Sequence, residues 1–118
     1  MSAAAAASTT KHELHHLYEK ETGTITYILV CKETKLCAVF DPVLDVDVRH
    51  GMVTHESADK LLAKIKELGV TVQWIIETHC HADHASCSQY LKAKLAPLQG
   101  GAAPPVAIGD KIVDVIRY

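Results

Sequence analysis

The stretch that decides the fold of this chain is T-H-C-H-A-D-H, residues 78–84, which directly follows the largely apolar run 72–76. Its candidate metal ligands are His79, His81, Asp83 and His84. In an extended chain side chains alternate between two faces, so the imidazoles of His79 and His81 project to the same side and can bind one ion. Asp83 and His84 then need a turn, which a strand leading into a helix supplies. We therefore predict a metal site at the end of a strand.

The donor chemistry narrows the choice of metal. Imidazole together with carboxylate suits zinc, iron, manganese or cobalt, and the mixture excludes a calcium site built from oxygen ligands alone. The competing interpretation is a solvated, histidine-rich loop. Because H-x-H-x-D-H is far more specific than a lone H-x-H, metal ligation is favoured.

The motif resembles the signature of the metallo-β-lactamase fold, whose members place H-x-H-x-D-H after a strand at the sheet edge. The resemblance runs from about residue 14 to the end of the chain. It is strongest to the branch that contains the persulfide dioxygenases, also called sulfur dioxygenases, and their lactamase-like relatives. Three segments carry it: Phe40-Asp41-Pro42-Val43, Ser57-Ala58-Asp59, and residues 77–84. Glyoxalase II, a sister branch, usually has bulkier residues where Cys80 and Ala82 stand here.

The resemblance implies an α/β fold, the four-layer αββα sandwich made of two similar halves. Whole domains of this kind are longer than 118 residues, so we expect the N-terminal half, a mixed sheet with two helices, with the C-terminal half absent. Residues 1–11 are expected to form a disordered tail, because an Ala-rich stretch buries too little surface to order itself, and residues 12–118 the partial domain. The family takes a third histidine and a bridging aspartate from later segments, and this sequence has no histidine after His84.

By resemblance, the first function to consider is a glutathione-persulfide dioxygenase, which oxidises sulfur in sulfide detoxification. In these enzymes a single iron ion (Fe²⁺) is bound by two histidines and a carboxylate. At this iron O₂ oxidises the persulfide, and the products are sulfite and glutathione. His79 matches the first histidine ligand, and His81, Asp83 and His84 then act by hydrogen bonding around the iron. The implied partner is a small thiol substrate such as glutathione persulfide.

Two alternatives to the dioxygenase stay open, one a hydrolase and the other a fragment without activity. In the hydrolase branches the same four side chains bind two zinc ions, which implies a thioester or lactam hydrolase of the glyoxalase II type. Asp83 is the candidate catalytic residue. The third alternative is a catalytically incompetent fragment, because two histidines on one strand cannot supply three or four ligands unless a homodimer, or Asp83 with His84, completes the set.

Composition and cysteine usage exclude several classes of protein. A net charge of −2 argues against a nucleic-acid partner, which needs a concentrated basic face. No apolar stretch approaches the roughly 20 residues that span a bilayer. The four cysteines form no C-x-x-C pair, so we expect free thiols and a cytoplasmic or mitochondrial location, although Cys31 and Cys37 flank a hairpin and could face each other.

Periodicity predicts strands at 24–30, 36–40 and 70–77 and a last strand pair within 106–118. Ser57 is predicted to cap a helix that stops at Gly69, and Ser86 with Gln89 has the spacing of a capping box for a second helix. Residues 43–55 are predicted to be an irregular surface loop with solvated histidines.

Two further features have alternative interpretations. Asp41 is either a turn residue or, by resemblance, a carboxylate that steadies the metal loop. His12-Glu13-Leu14-His15-His16 formally matches the zinc-protease pattern H-E-x-x-H, which is meaningful only on a buried helix. It follows a flexible tail and leads into the strand-like pair Leu17-Tyr18, so an exposed edge strand is favoured over a metal site.

Overall fold

The computed structural model describes residues 11–20, 23–47, 50–78 and 87–108. Within these ranges the chain forms a five-stranded mixed sheet, a two-stranded sheet and two helices. The strands are β1 (His12–Glu19), β2 (Thr24–Cys31), β3 (Leu36–Phe40), β4 (Asp45–Asp47), β5 (Met52–Thr54), β6 (Thr71–Glu77) and β7 (Val106–Ile108). The helices are α1 (Glu56–Leu68) and α2 (Ser88–Leu98). This α/β arrangement confirms the predicted fold class.

The large sheet has the order β1-β2-β3-β6-β7. The first three strands form an antiparallel meander, while β3 and β6 run parallel, as do β6 and β7. The chain reaches β6 from β3 by way of α1, which is the crossover that parallel neighbours require. The carboxyl ends of β3 and β6 therefore meet at the same edge of the sheet.

The core lies between the two helices and one face of this sheet. Alternation in β2 and β3 sends Ile28 and Val39 into it, and β6 contributes Ile75. The helices add Leu61 and Leu91, both almost completely buried. Because a fully buried aliphatic side chain contributes about 1.5–3 kcal/mol, these contacts hold the helices against the sheet.

The predicted irregular loop at 43–55 was wrong. Residues 45–47 and 52–54 pair as an antiparallel hairpin, with Asp45 opposite Thr54. The alternating Asp and Val residues already had the period of two that a strand requires. Gly51, with φ of 61°, supplies the left-handed conformation that the connection needs.

The predicted helix caps need correction as well. Gly69 ends α1 in the left-handed conformation as expected, but the helix starts at Glu56 with His55 as its N-cap. Ser57 is inside the helix, and its backbone N–H donates to Asp45 Oδ2 at 2.7 Å. The N-cap of α2 is Cys87, without a side-chain cap, whereas Ser86 lies outside the described residues. A carboxylate from the hairpin therefore satisfies the N-terminus of α1.

Neither described helix is long and apolar enough to cross a membrane. The expected disordered tail falls almost wholly on residues 1–10, which lie outside the described ranges, as does the second strand of the pair predicted within 106–118. The strands predicted at 24–30, 36–40 and 70–77 are confirmed to within one residue.

Candidate metal centre

Asp41 and Thr78 meet at the edge of the sheet where β3 and β6 end. Asp41 directly follows β3 and Thr78 directly follows β6. The Thr78 backbone N–H donates to Asp41 Oδ1 at 2.8 Å, and the Thr78 hydroxyl donates to Oδ2 at 2.6 Å. One carboxylate thus binds both donors of the residue that precedes His79.

The backbone of Asp41 is fixed as firmly as its side chain. Its N–H donates to the Ile76 carbonyl at 2.9 Å, and its own carbonyl accepts from the Thr26 hydroxyl at 2.9 Å. Its φ of 53° is left-handed, a conformation that Asp tolerates better than most residues. Both interpretations of Asp41 are therefore compatible: it is a turn residue, and its carboxylate holds the start of the candidate metal segment.

Glu77 and Ser88 form a second anchor that sequence reasoning missed. The Ser88 hydroxyl donates to Glu77 Oε1 at 2.5 Å, and both residues are buried. Glu77 ends β6 and Ser88 begins α2, so this bond ties together the two ends of segment 78–87. The available signal was the position of Glu77, a charged residue on the face of β6 that buries Val72 and Ile75.

Cys87 closes the same edge from the helix side. It is 2% exposed, and its backbone N–H lies 3.5 Å from the Pro42 carbonyl, the residue after Asp41. Burial, and secondarily the negative charge of Glu77, raise the pKa of the Cys87 thiol to about 12. Cys87 is therefore a buried packing residue whose thiol stays protonated at neutral pH.

The predicted ligands themselves lie outside the described residues: His79, His81, Asp83 and His84. Thr78 and Cys87, the described residues that border this segment, are both held by the contacts above. Across residues 11–20, 23–47, 50–78 and 87–108, no three His, Cys, Asp or Glu side chains are grouped to hold a metal. The fit to iron or zinc therefore rests on donor chemistry, since imidazole and carboxylate suit both ions.

The zinc-protease pattern near the N-terminus does not form a metal site. His12 and His16 lie on β1, an edge strand, as predicted. Four residues of strand separate them by about 13 Å, too far for one ion. His15 points to the other face, where its Nε2 lies 3.6 Å from Glu13 Oε2.

The prediction of a solvated histidine was wrong for His55. Its ring stacks on Tyr90, with ring centroids 3.9 Å apart and an interplanar angle of 12°. The Tyr90 hydroxyl donates to Asp59 Oδ1 at 2.8 Å, and this hydrogen bond is the main cause that raises the pKa of Tyr90. His55 therefore helps join α1 to α2.

The described cysteines are free thiols, as expected. Cys31 pairs with Leu36, and Cys37 pairs with Val30, so the two thiols point to opposite faces of the sheet and cannot form the disulfide left open above. Burial raises the pKa of Cys37 to about 11. A hydrogen bond from the Thr34 side chain lowers the pKa of Cys31.

Comparison with known proteins places this geometry in a family. The model of the metallo-beta-lactamase superfamily matches residues 21–107. A beta-lactamase hydrolase-like protein of Xylella fastidiosa is 41% identical over 100 residues, which cover 85% of this chain and 22% of that protein. The human mitochondrial persulfide dioxygenase ETHE1 is 33% identical over 111 residues, covering 89% and 39%.

A solved structure agrees with these relatives. The crystal structure of ETHE1 from Myxococcus xanthus superposes with a TM-score of 0.58 at 29% identity, over 70% of this chain and 32% of that one. The chain thus spans between about a fifth and two fifths of the length of these proteins. Because the family model covers most of its residues, the chain belongs to the metallo-beta-lactamase superfamily.

Proposed function

We propose that this chain supplies the first metal-binding segment of an iron-dependent persulfide dioxygenase, with His79 as a ligand and His81, Asp83 and His84 beside the metal. The observation that carries the proposal is the pair of hydrogen bonds from Thr78 to Asp41. They fix the residue before His79 at the carboxyl edge of parallel strands, where open α/β sheets bind their ligands. The superfamily's name denotes metal dependence, and the ETHE1 relatives support the persulfide activity.

The protein's own contribution is to position the ligands. Asp41 uses both carboxylate oxygens on Thr78, so the chain leaves β6 in one direction. The Glu77–Ser88 hydrogen bond joins the end of β6 to the start of α2, where the chain returns. A bound Fe²⁺ would supply open coordination positions for O₂ and a persulfide sulfur.

The small side chains at Cys80 and Ala82 favour this branch over glyoxalase II. The proposed substrate is accordingly a small persulfide such as glutathione persulfide. By the same resemblance, the remaining histidine and carboxylate of the centre come from segments that follow the signature. We further propose a mitochondrial or cytoplasmic location, the former in line with the mitochondrial human relative.

Metal analysis joined to oxygen uptake tests the proposal. The purified 118-residue chain is loaded anaerobically with Fe²⁺ or Zn²⁺, and bound metal is measured by mass spectrometry. Oxygen consumption with glutathione persulfide is then followed with an electrode, and the same assay is run on a longer polypeptide that includes a C-terminal half. We expect stoichiometric iron and oxygen uptake with the longer polypeptide, because the remaining histidine and carboxylate of the centre come from segments that follow the signature. Zinc binding without uptake in either would reject the dioxygenase.

A metallohydrolase is the second candidate, favoured by the 41% identity to a beta-lactamase hydrolase-like protein. Two metal ions would lower the pKa of a bound water and polarise a carbonyl, with Asp83 near them. Hydrolysis of an acyl-glutathione thioester without oxygen consumption would select this function. If neither polypeptide takes up Fe²⁺ or Zn²⁺, the result would instead support the third alternative, a catalytically incompetent fragment.

A further inference from the structure

Tyr90, in the first turn of α2, contacts α1 through both its ring and its hydroxyl. The ring stacks on His55 with the centroids 3.9 Å apart, and the hydroxyl donates to Asp59 Oδ1 at 2.8 Å. That hydrogen bond is the main cause that raises the pKa of Tyr90, so the phenol keeps the donated proton at neutral pH. An aromatic face and a polar tip that are both in contact fix the orientation of a tyrosine side chain.

Both partners of Tyr90 belong to one turn of α1. The Asp59 backbone N–H donates to the His55 carbonyl at 2.8 Å and so closes the first turn of this helix. Residues four positions apart project to the same side of a helix, which is why both reach the same neighbour. Asp59 is also the last residue of Ser57-Ala58-Asp59, a segment that the proposed metal chemistry leaves without a role.

Tyr90 and Ser88 hold α2 from nearly opposite sides. Successive residues of an α-helix are about 100° apart around its axis, so these two side chains point about 200° apart. The Ser88 hydroxyl binds Glu77 at the end of β6, and Leu91 packs in the core. A helix that is held only along the side that faces the sheet can still rotate about its own axis. The contacts between Tyr90 and α1 oppose that rotation.

The first turn of α2 is also where the chain resumes after the candidate metal segment. Cys87 is its N-cap and Ser88 its first residue. Thr78, the described residue at the other border, is held by Asp41. If residues 79–84 bind a metal ion as proposed above, the orientation of α2 at this border contributes to the geometry of the site.

We propose that Asp59 and Tyr90 are positioning residues of the metal centre, through which α1 sets the orientation of the first turn of α2. The inference rests on the proposed function for the presence of the metal. Neither side chain touches the ion, and the His55 ring supports Tyr90 from its face. A chain whose α2 turn is correctly oriented for only a fraction of the time binds metal more weakly by that fraction.

Hydrogen exchange in the metal-free 118-residue chain tests the structural step. Asp59→Ala and Tyr90→Phe each remove the hydrogen bond between the helices. Both should speed exchange of the Leu91 amide, which donates to the Cys87 carbonyl, by roughly 3–10-fold, the ratio expected for one hydrogen bond. Amides of β2 and β3 should exchange as in the wild type. Unchanged exchange at Leu91 in both variants overturns the proposal.

Two further variants control for charge and for helix content. Asp59→Asn keeps an acceptor oxygen for the Tyr90 hydroxyl, so it should restore the wild-type exchange rate at Leu91. Glu67→Ala is the matched control for Asp59→Ala, because it removes the same charge from the last turn of α1, where the Glu67 side chain is 71% exposed. It should leave exchange at Leu91 unchanged. If Glu67→Ala has the same effect as Asp59→Ala, the proposal is wrong.

Titration with Co²⁺ tests the functional step in the longer polypeptide that includes a C-terminal half, since the absorption of this ion reports the geometry of its ligands. Asp59→Ala and Tyr90→Phe should each weaken Co²⁺ binding roughly 3–10-fold and alter the spectrum. The double variant should lose no more than either, because both remove one bond. Asp59→Asn should restore affinity and spectrum.

The outcomes separate this proposal from the proposed function. Co²⁺ affinity and spectrum that are the same in wild type, Asp59→Ala and Tyr90→Phe reject the positioning role alone, even if both variants are less stable. A wild-type polypeptide that binds no Co²⁺ rejects the metal centre and this proposal with it. Neither result depends on persulfide oxidation.

Discussion

The carboxylate of Asp41 accepts two hydrogen bonds from Thr78, although 37 positions separate these residues in the chain. The contact exists because β3 and β6 are parallel neighbours whose carboxyl ends coincide. It joins the first half of the sheet to the residue that precedes the candidate metal ligands.

Asp41→Asn should weaken the start of the metal segment. An amide has one acceptor oxygen where the carboxylate has two, so one Thr78 donor loses its partner, at a cost of about 1 kcal/mol in the free energy of unfolding. Metal affinity should fall by roughly 10-fold, as for other residues that orient ligands without touching the metal. Urea unfolding and metal titration measure the two effects. Thr78→Ser keeps both donors and should resemble the wild type. If Asp41→Asn and Thr78→Ser lose equal stability and metal affinity, the role assigned to the Asp41 carboxylate is wrong.

Ser88→Ala should leave the buried Glu77 carboxyl without the Ser88 hydroxyl and cost about 1–3 kcal/mol in the free energy of unfolding. A double-mutant cycle with Glu77→Gln isolates the interaction between the two side chains. We expect a coupling energy of at least 0.5 kcal/mol. Additive effects of the two substitutions would show that the pair does not act as a unit. Ser57→Ala, on the other helix, provides a comparison.

Because of the buried thiols of Cys37 and Cys87, the free energy of unfolding should decrease at alkaline pH. Folding raises the pKa of Cys37 to about 11 and that of Cys87 to about 12, from an ordinary value of 9.0. A pKa raised in the folded state means that the folded chain retains protons which the unfolded chain releases. The free energy of unfolding should thus receive the full contribution below pH 9 and lose it as pH rises toward 11–12.

The rates at which the described cysteine thiols are alkylated should differ in the native chain. Cys31, whose pKa is lowered by Thr34, should be alkylated by iodoacetamide faster than Cys37 or Cys87 in the native chain at pH 8. Peptide mass spectrometry assigns the modified positions. Thr34→Val should slow the reaction of Cys31 and leave the other two rates unchanged. Rapid modification of Cys87 would contradict its burial.

His79→Ala should abolish metal uptake, whereas His12→Ala and His16→Ala should leave it intact. His79 is the proposed ligand, while His12 and His16 are about 13 Å apart on an extended strand and cannot share an ion. Equilibrium dialysis of the longer polypeptide, which includes a C-terminal half, with Fe²⁺ and Zn²⁺ gives the stoichiometry for each variant. Retained binding in His79→Ala, or loss in His12→Ala, would reject the assignment of the metal segment.

The sequence by itself determined the elements whose signals are local. Alternation identified β2, β3 and β6, and the apolar stripe that ends at Gly69 identified α1. The family of the chain is confirmed, whereas the metal site after β6, indicated by the clustering of His79, His81, Asp83 and His84, stays a prediction. These features could be read directly because each depends on residues a few positions apart.

Tertiary structure decided the contacts between distant segments. Asp45 satisfies the N-terminus of α1 from the hairpin, so the cap predicted at Ser57 was wrong. His55 stacks on Tyr90 only because the two helices pack side by side. Glu77 and Ser88 meet across the candidate metal segment for the same reason. Local periodicity specifies which face of an element is apolar, but which polar groups meet depends on how strands and helices are brought together in space.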